Sequence, residues 1–539
     1  MTASHRFKTI ESDLLIEEET PPNYRPEKYY PVRLGDTFDN RYHVMGKLGY
    51  GAASTVWLCK DNHNAQDTPQ YVALKVYVNS LRTYRELPIY DHINSLRSEH
   101  KGRTRVRALL DSFEIEGPHG THTCLVHEAC GVTLYELQKL LPDQAYPPDL
   151  LRELLRPVLY GLDFLHSEAN IIHTDISEYN ILVGIDDPSV FAEFESKEEK
   201  RPVPRKVLED RTIYMSRQMP LTVANPKISD FSEARFASQA LSSDFIMPDA
   251  YRAPENALGM LWSYPVDTWA LVMMLWDLLQ PHTLFDPSDR NGEYSVQHHL
   301  AHMVAIMGPP PLDFLNRSER SWKYWDRNGT WKGDVPIPAD YSLETAEKRL
   351  KGDDREMFLA MMRSILHWKP EDRAGCMDIF WDEWMVADLV ASGQLQRSDE
   401  TSMEDGSSRA LSTSAAKAAY KWTSSAAEIV EANPGKAGKA VLAGAKAVEG
   451  EVEKKLGDKI TEFKFQGKNL HKSSKDPKEK LRVVTVSAHT SGGTSKMSGH
   501  IGEDGSYKLR FKKYGGDDMV EGAPPDVDED EDKDRGEGG

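Results

Sequence analysis

The chain has 539 residues, 39% hydrophobic and 28% charged, which suits more than one packed lobe with polar extensions. Its 85 acidic residues outnumber 66 basic ones, and the formal net charge of −19 argues against nonspecific attraction to nucleic acid or an anionic membrane. Four scattered cysteines, Cys59, Cys124, Cys130 and Cys376, make no CxxC pair, so neither a disulfide framework nor a zinc site is expected.

Met1 to Glu19 has no basic start followed by an apolar block, and no apolar run nears the ~18 residues of a membrane span. A cytosolic or nuclear protein is expected. Residues 1–40 are polar and contain prolines, which predicts an extended arm. From Tyr42 to His127 short β-branched runs (Tyr42–Leu48, Thr55–Leu58, Val72–Val78) alternate with turns and one helical stretch, predicting a small sheet-rich lobe. From about Val132 the pattern turns helical. Leu151, Leu154, Leu155, Val158, Leu159, Leu162 and Leu165 share one face, with Pro157 predicting a kink or a helix start. Between Gly184 and Lys227 lies a charged insertion, and Asp267 to Leu279 is apolar on nearly all sides, a buried helix. The main domain is thus expected over 41–390. Residues 391–480 read as an Ala/Ser/Lys-rich linker with a modest helix marked by Val441, Ala445, Val448, Val452 and Leu456. Val483–Val486 and Tyr507–Phe511 predict a small β segment over 481–514, and 515–539 an acidic disordered tail.

The chemistry lies in spaced motifs. Leu48-Gly49-Tyr50-Gly51 followed by Val56 is a turn whose backbone can close over phosphates while Val56 covers an adenine ring; alone, it reads equally as a plain hairpin. Val72-Ala73-Leu74-Lys75 brings a lysine suited to neutralise phosphates, although a lone lysine there is often an edge-strand charge. Glu86 opens the helix face Glu86, Ile89, Tyr90, Ile93 and needs a cationic partner, for which Lys75 is the candidate; otherwise it is a solvated glutamate. In His173-Thr174-Asp175-Ile176-Ser177-Glu178-Tyr179-Asn180, Asp175 can accept a hydroxyl proton. Asn180 and Asp230, the latter in Asp230-Phe231-Ser232, can ligate Mg2+. Glu255, Asp267 and Arg373 read as structural, with Glu255 and Arg373 a buried pair.

Over about residues 20–390 the sequence resembles the SR-protein kinase family, particularly its divergent fungal-type branch. The resemblance rests on Tyr29-Tyr30-Pro31-Val32-Arg33-Leu34-Gly35-Asp36, Arg41-Tyr42-His43-Val44, Lys47 to Gly51, Ser54 to Leu58 and His173-Thr174-Asp175-Ile176. The spacer position, the Leu300 to Gly333 insert and Arg252 before Ala-Pro-Glu agree. It implies an α+β, bilobal eukaryotic protein kinase fold, with a β-rich N-lobe, a larger helical C-lobe and a mostly flexible C-terminal extension. It also implies ATP and Mg2+ as cofactors, transfer to Ser or Thr of a basic or Arg/Ser-rich protein substrate, no direct nucleic acid partner and a monomer. His127 would be the gatekeeper, Glu128 and Cys130 would offer backbone groups to adenine, and Leu182 would pack beneath it. Thr174 replaces the arginine that reads a phosphorylated activation loop, so activation of that kind is not expected.

Three departures matter. Ser177 stands where the family has a lysine that stabilises the transferring phosphoryl group, Pro248 where it has a threonine bridging that lysine to the aspartate, and Ser232 where it has glycine. A slow kinase and a nucleotide-binding pseudokinase scaffold are the two readings left open, with the tail as functional part a third.

Overall fold

Alternation of apolar and polar residues along Tyr42 to Tyr77 builds the first lobe. In the computed structural model, which describes residues 7–63, 70–79, 85–222, 224–239, 245–392 and 394–395 and the backbone of five strands between 460 and 522, two units are distinguished, Met1–Met385 and Val386–Gly539. The first unit opens with β1 (Thr37–Phe38), β2 (Tyr42–Tyr50), β3 (Ser54–Asp61) and β4 (Gln70–Tyr77). Helix α1 (Glu86–Ser95) and strands β5 (Leu109–Gly117) and β6 (Gly120–Glu128) complete it. All pairs are antiparallel, in the order β1-β2-β3-β4-β6-β5. Alternate residues Val72, Leu74 and Val76 face one way and pack with Tyr42, Val44, Trp57 and Val126. Helix α1 buries Glu86, Ile89, Tyr90 and Ile93, the face read from the sequence.

The second lobe starts with α2 (Leu134–Leu140), capped by Thr133 and Glu136, and α3 (Pro148–Ser167). Pro157 neither starts α3 nor ends it: the helix begins nine residues earlier, at Pro148, and continues past it. Its heavily apolar buried face, from Leu151 to Leu165, outweighs the one backbone hydrogen bond a proline removes. Two short strands, β7 (Ile171–Ile172) and β8 (Ile181–Val183), flank the loop bearing Asp175.

The insertion folds as α4 (Ser189–Lys200) and the hairpin β9 (Arg205–Val207) and β10 (Thr212–Tyr214). The chain returns through β11 (Pro226–Ile228), paired with β8, so the two ends of the insertion are neighbours. Strand β12 (Arg235–Phe236) pairs with β7. A short turn of helix, α5 (Pro254–Ala257), precedes α6 (Pro265–Leu279), whose side chains are buried except near Tyr264 and Asp277. The four cysteines are buried and unpaired.

The arm is not simply extended. It turns twice, at Glu17–Glu19 and Pro26–Lys28, and is held against β2 and the insertion. All three consecutive glutamates are buried because each meets a donor. Glu17 accepts from Ser216 Oγ at 2.6 Å, Glu18 pairs with Lys47, and Glu19 with Lys206 at 2.7 Å.

In the second unit five strands form a sequential antiparallel meander: β13 (Ile460–Asn469), β14 (Arg482–Thr490), β15 (Gly493–Ile501), β16 (Tyr507–Lys513) and β17 (Gly516–Gly522). The expected strands fall in β14 and β16. The others correct the sequence reading, since β13 lies in the expected linker and β17 in the expected disordered tail. β15 and β17 are glycine-containing and polar, so pairing with neighbours marks them where local propensity does not. The helix expected from Val441 to Leu456 lies outside the described residues.

Candidate active site

The glycine-rich turn joins β2 and β3. A Cβ added at Gly49 or Gly51 would meet nothing within 4 Å, so the backbone there is open to a ligand's close approach. Its tip is closed by Gly51 N–H donating to Ser54 O at 2.8 Å. Leu48, Val56 and Leu182 are half-buried, while Ala73 is fully buried opposite His127 in the β4–β6 register. Of these, Val56 and Leu182 are the residues that sequence reasoning set against an adenine ring, with Leu48 and Ala73 as further ATP-binding residues. His127 is buried, and burial together with Arg107 and Lys75 holds its pKa well below the usual histidine value, so it is neutral. At the end of β6 the Glu128 carbonyl accepts from Arg107 Nε at 3.1 Å and from the Cys130 thiol at 3.9 Å. The Glu128 carboxylate pairs with Lys227 at 2.6 Å, and buried Cys130 follows.

β4 delivers Lys75 to a pair of carboxylates. Its Nζ lies 2.8 Å from Glu86 Oε2 on α1 and 3.1 Å from Asp230 Oδ1. Burial works against the ammonium, but Asp230 and Glu86 outweigh it and hold its pKa well above the ordinary lysine value. Burial likewise opposes the Asp230 carboxylate, and Lys75 with a hydrogen bond from Ser232 still brings its pKa below the usual range. Two donors not read from the sequence fix Glu86: the Tyr77 hydroxyl and Phe231 N–H, the latter at 3.3 Å. Phe231 in turn packs between Tyr90 and His173, with ring centroids 5.1 and 5.0 Å away.

Asp267 organises the loop that bears Asp175. Fully buried at the start of α6, it accepts from His173 N–H at 2.7 Å and Thr174 N–H at 2.8 Å, and pairs with His166 Nε2 at 2.9 Å. Thr174 (φ 66°) and Asp230 (φ 63°) both occupy the left-handed region. Such conformations cost energy and persist where the surroundings impose them. Here the Asp267 carboxylate and the Thr174 hydroxyl, donating to Glu233 O at 2.7 Å, do so at Thr174. Asn180 Nδ2 donates to both the carbonyl and Oδ2 of Asp175, each at 2.8 Å. Burial raises the Asp175 pKa, with His173 and Asn180 opposing it.

The donor set fits a divalent cation completed by phosphate oxygens. Asn180 has its amide nitrogen engaged, so its Oδ1 and the Asp230 carboxylate are what this chain offers. No group of three or more His, Cys, Asp or Glu side chains able to hold a metal unaided occurs among the described residues. Ser177 is buried, its carbonyl accepting from Asn180 N–H at 3.0 Å, whereas Pro248 is exposed and heads the turn Asp249–Tyr251. Away from this centre Arg373 makes a two-pronged pair with Glu255, at 2.8 and 2.6 Å, both side chains fully buried.

Sequence reasoning missed Tyr77, Tyr29 and Glu17 to Glu19. Glu17, Glu18 and Glu19 left one signal, three adjacent carboxylates ahead of a lone Lys47, whereas a tyrosine hydroxyl reaching a distant carbonyl leaves none.

A family model described as "Protein kinase domain" matches residues 42–385. A serine/threonine protein kinase of Aspergillus fumigatus is 42% identical over 386 residues, 71% of this chain and 93% of that one. The serine/threonine-protein kinase SRPK of Physarum polycephalum is 29% identical over 69% of this chain and 92% of its own. SRSF protein kinase 3 of Mus musculus is 42% identical over 178 residues, 32% of this chain and 30% of that one. The crystal structure of a kinase domain superposes with a TM-score of 0.51 at 21% identity, covering 66% of this chain and 98% of that one, a likeness of fold.

Proposed function

The chain belongs to the protein kinase family as a serine/threonine kinase related to the SR-protein kinases, and from that premise we propose that it turns over ATP with Mg2+, phosphorylating serine in a basic or Arg/Ser-rich protein. The observation that carries the reading is Lys75 bridging Glu86 and Asp230, because a cation so held is ready for phosphates without rearrangement. In this reading Asp175 accepts the proton of the attacking serine hydroxyl. Lys75 meets the α- and β-phosphates, Leu48, Val56, Ala73 and Leu182 enclose the base, and the Glu128 and Cys130 backbone meets its edge. Asp230 and the Asn180 amide oxygen would hold the metal ion, whose charge offsets that of the phosphates. The relationship to a kinase named for SRSF proteins supports the substrate class. A monomer working in cytoplasm or nucleus is part of the proposal; among the described residues no helix is long and apolar enough to cross a membrane.

A second reading, a nucleotide-binding scaffold with little catalysis, is favoured by Ser177 and Pro248, which leave the transferring group without the family's lysine. Transfer of radiolabelled phosphate from ATP to an Arg/Ser-repeat peptide, with a generic basic protein alongside and Asp175→Asn as control, separates the two. Transfer lost in Asp175→Asn supports the enzyme. Magnesium-dependent nucleotide binding without transfer supports the scaffold.

A further inference from the structure

The arm makes one contact that the reading above does not use. The Tyr29 hydroxyl lies 2.9 Å from Ala52 O and 3.2 Å from Gly51 O, the two carbonyls at the tip of the glycine-rich turn. The ring is buried, packed 5.2 Å from Tyr24. Its backbone is tied down on two sides. Asn79 N–H donates to Lys28 O at 3.0 Å and its side-chain amide to Glu27 O at 3.0 Å, while Arg211 from the β9–β10 hairpin donates to Pro26 O and, at 3.4 Å, to Tyr29 O. Upstream, Glu17 to Glu19 fasten the arm to Lys47, two residues before Gly49, and to Lys206. A tyrosine hydroxyl thus arrives at the loop on a rigid support.

In a trans peptide the carbonyl and the N–H of one plane point opposite ways. Carbonyls of Gly51 and Ala52 turned toward Tyr29 therefore turn the N–H groups of Ala52 and Ala53 away from it. A glycine-containing turn without such a restraint samples many conformations, and binding must then order it. We propose that Tyr29 is a positioning residue for nucleotide: its hydroxyl, anchored by the arm, holds the Gly51 and Ala52 carbonyls so that the loop's N–H groups are preset to receive phosphate oxygens. This rests on the nucleotide-binding reading of the cleft, but not on phosphoryl transfer. The contact reaches only carbonyls at the tip of the turn, and Leu48 and Val56 on its flanking strands would meet the base of ATP and of adenosine alike, so an effect passed through them is common to both ligands.

Tyr29→Phe in the full chain removes the hydroxyl and keeps the ring. A net hydrogen bond of ordinary strength is about a fivefold change in an equilibrium constant. Binding of Mg·ATP and of adenosine, each measured by calorimetry on wild type and variant, reads the effect. The expected result is a Kd for Mg·ATP raised about fivefold with adenosine changed less than twofold, since only ATP carries phosphates. Equal weakening of both ligands would mean that Tyr29 merely supports the lobe, and an unchanged Kd for Mg·ATP would mean that the contact is idle; either overturns the inference while nucleotide binding stands. Wild-type protein that bound no Mg·ATP would remove the nucleotide reading and this inference together.

Discussion

Lys75 meets its two carboxylates from separate elements, whereas Ser177 takes one cation out of a loop that keeps Asp175 and Asn180. With Asp175 and Asn180 joined by two 2.8 Å hydrogen bonds, what the loop lacks is a cation for the transferring phosphoryl group. Loss of one preorganised group of this kind costs about 10²–10³ in kcat in well-studied enzymes. Ser177→Lys with Pro248→Thr is expected to raise kcat by at least about tenfold, with the KM for ATP changed less than about threefold, because the lysine acts on the transition state. A steady-state titration of ATP decides this, and an unchanged kcat would mean that another group already supplies the charge. Asp175 gives a pH prediction. A base works unprotonated, and burial raises this carboxylate's pKa, so protonation sets in at higher pH than for an ordinary aspartate at about 3.9. Activity should therefore fall, as pH is lowered, through an acid limb above that value, and a kcat–pH profile without such a limb would refute the assignment. The residues in these arguments were legible because each stands in a short motif of fixed spacing. Tyr77 and Tyr29 were not, since a hydroxyl that reaches Glu86 or the carbonyls of Gly51 and Ala52 depends on how two segments meet.

Between elements, the arm and the insertion depend on the sheet for cover and supply it in return. Phe194 of α4 lies where a Cβ at Gly46 would stand, 2.6 Å from its ring, so the helix rests directly on the backbone of β2. Beside it Lys47, with a fully buried side chain, has donors directed to Glu18 and to Tyr214 O at 3.0 Å, and Glu17 at 3.4 Å. Lys47→Met leaves two buried carboxylates without their cation, and removing one partner of such a set costs about 3–5 kcal/mol. Lys197→Met breaks an exposed pair with Glu193 one turn away on α4 and should cost less than about 0.5 kcal/mol. Urea unfolding of the two variants checks the contrast; equal midpoints would mean that the arm contributes little. Strands β2, β3 and β4 were legible from short β-branched runs, α1 and α3 from one apolar face, and α6 from being apolar on nearly all sides. The arm's fold was not, because its burial relies on ion pairs and hydrogen bonds with residues far along the chain, as in Glu19 with Lys206, 187 positions away, and Glu17 with the Ser216 hydroxyl, 199 away, and polar composition alone reads as solvent-exposed. As a helix start Pro157 was misleading for the complementary reason: a local rule weighed one hydrogen bond, and the eleven buried residues of α3 weighed more.

At the scale of the chain, the family match ends at residue 385, and the core reaches to that end. Trp384 and Met385, both fully buried, belong to the large helical core, and Trp384 lies 5.1 Å from Phe358 in the helix Gly352–Ile365 and 4.5 Å beneath the Arg152 guanidinium of α3. Trp384 and Met385 stand in the first turn of the helix Glu383–Ala391. Composition changes a little further on, near Gln394. A chain ending at residue 395 is expected to unfold cooperatively within about 3 °C of the full-length Tm of its kinase transition and to bind Mg·ATP with a Kd within twofold. A chain ending at residue 380 loses a tryptophan from a packed core, where truncating such a side chain even to alanine costs about 3–5 kcal/mol, and its Tm should drop by many degrees or the chain should fail to fold. Calorimetry of the two truncations separates a self-sufficient kinase lobe from one that needs the sequence beyond it. Normal melting of the shorter chain would show that Trp384 contributes far less than its burial implies. A low Tm for the longer one would assign a structural role to residues 396–539, which the composition of that segment gives no reason to expect.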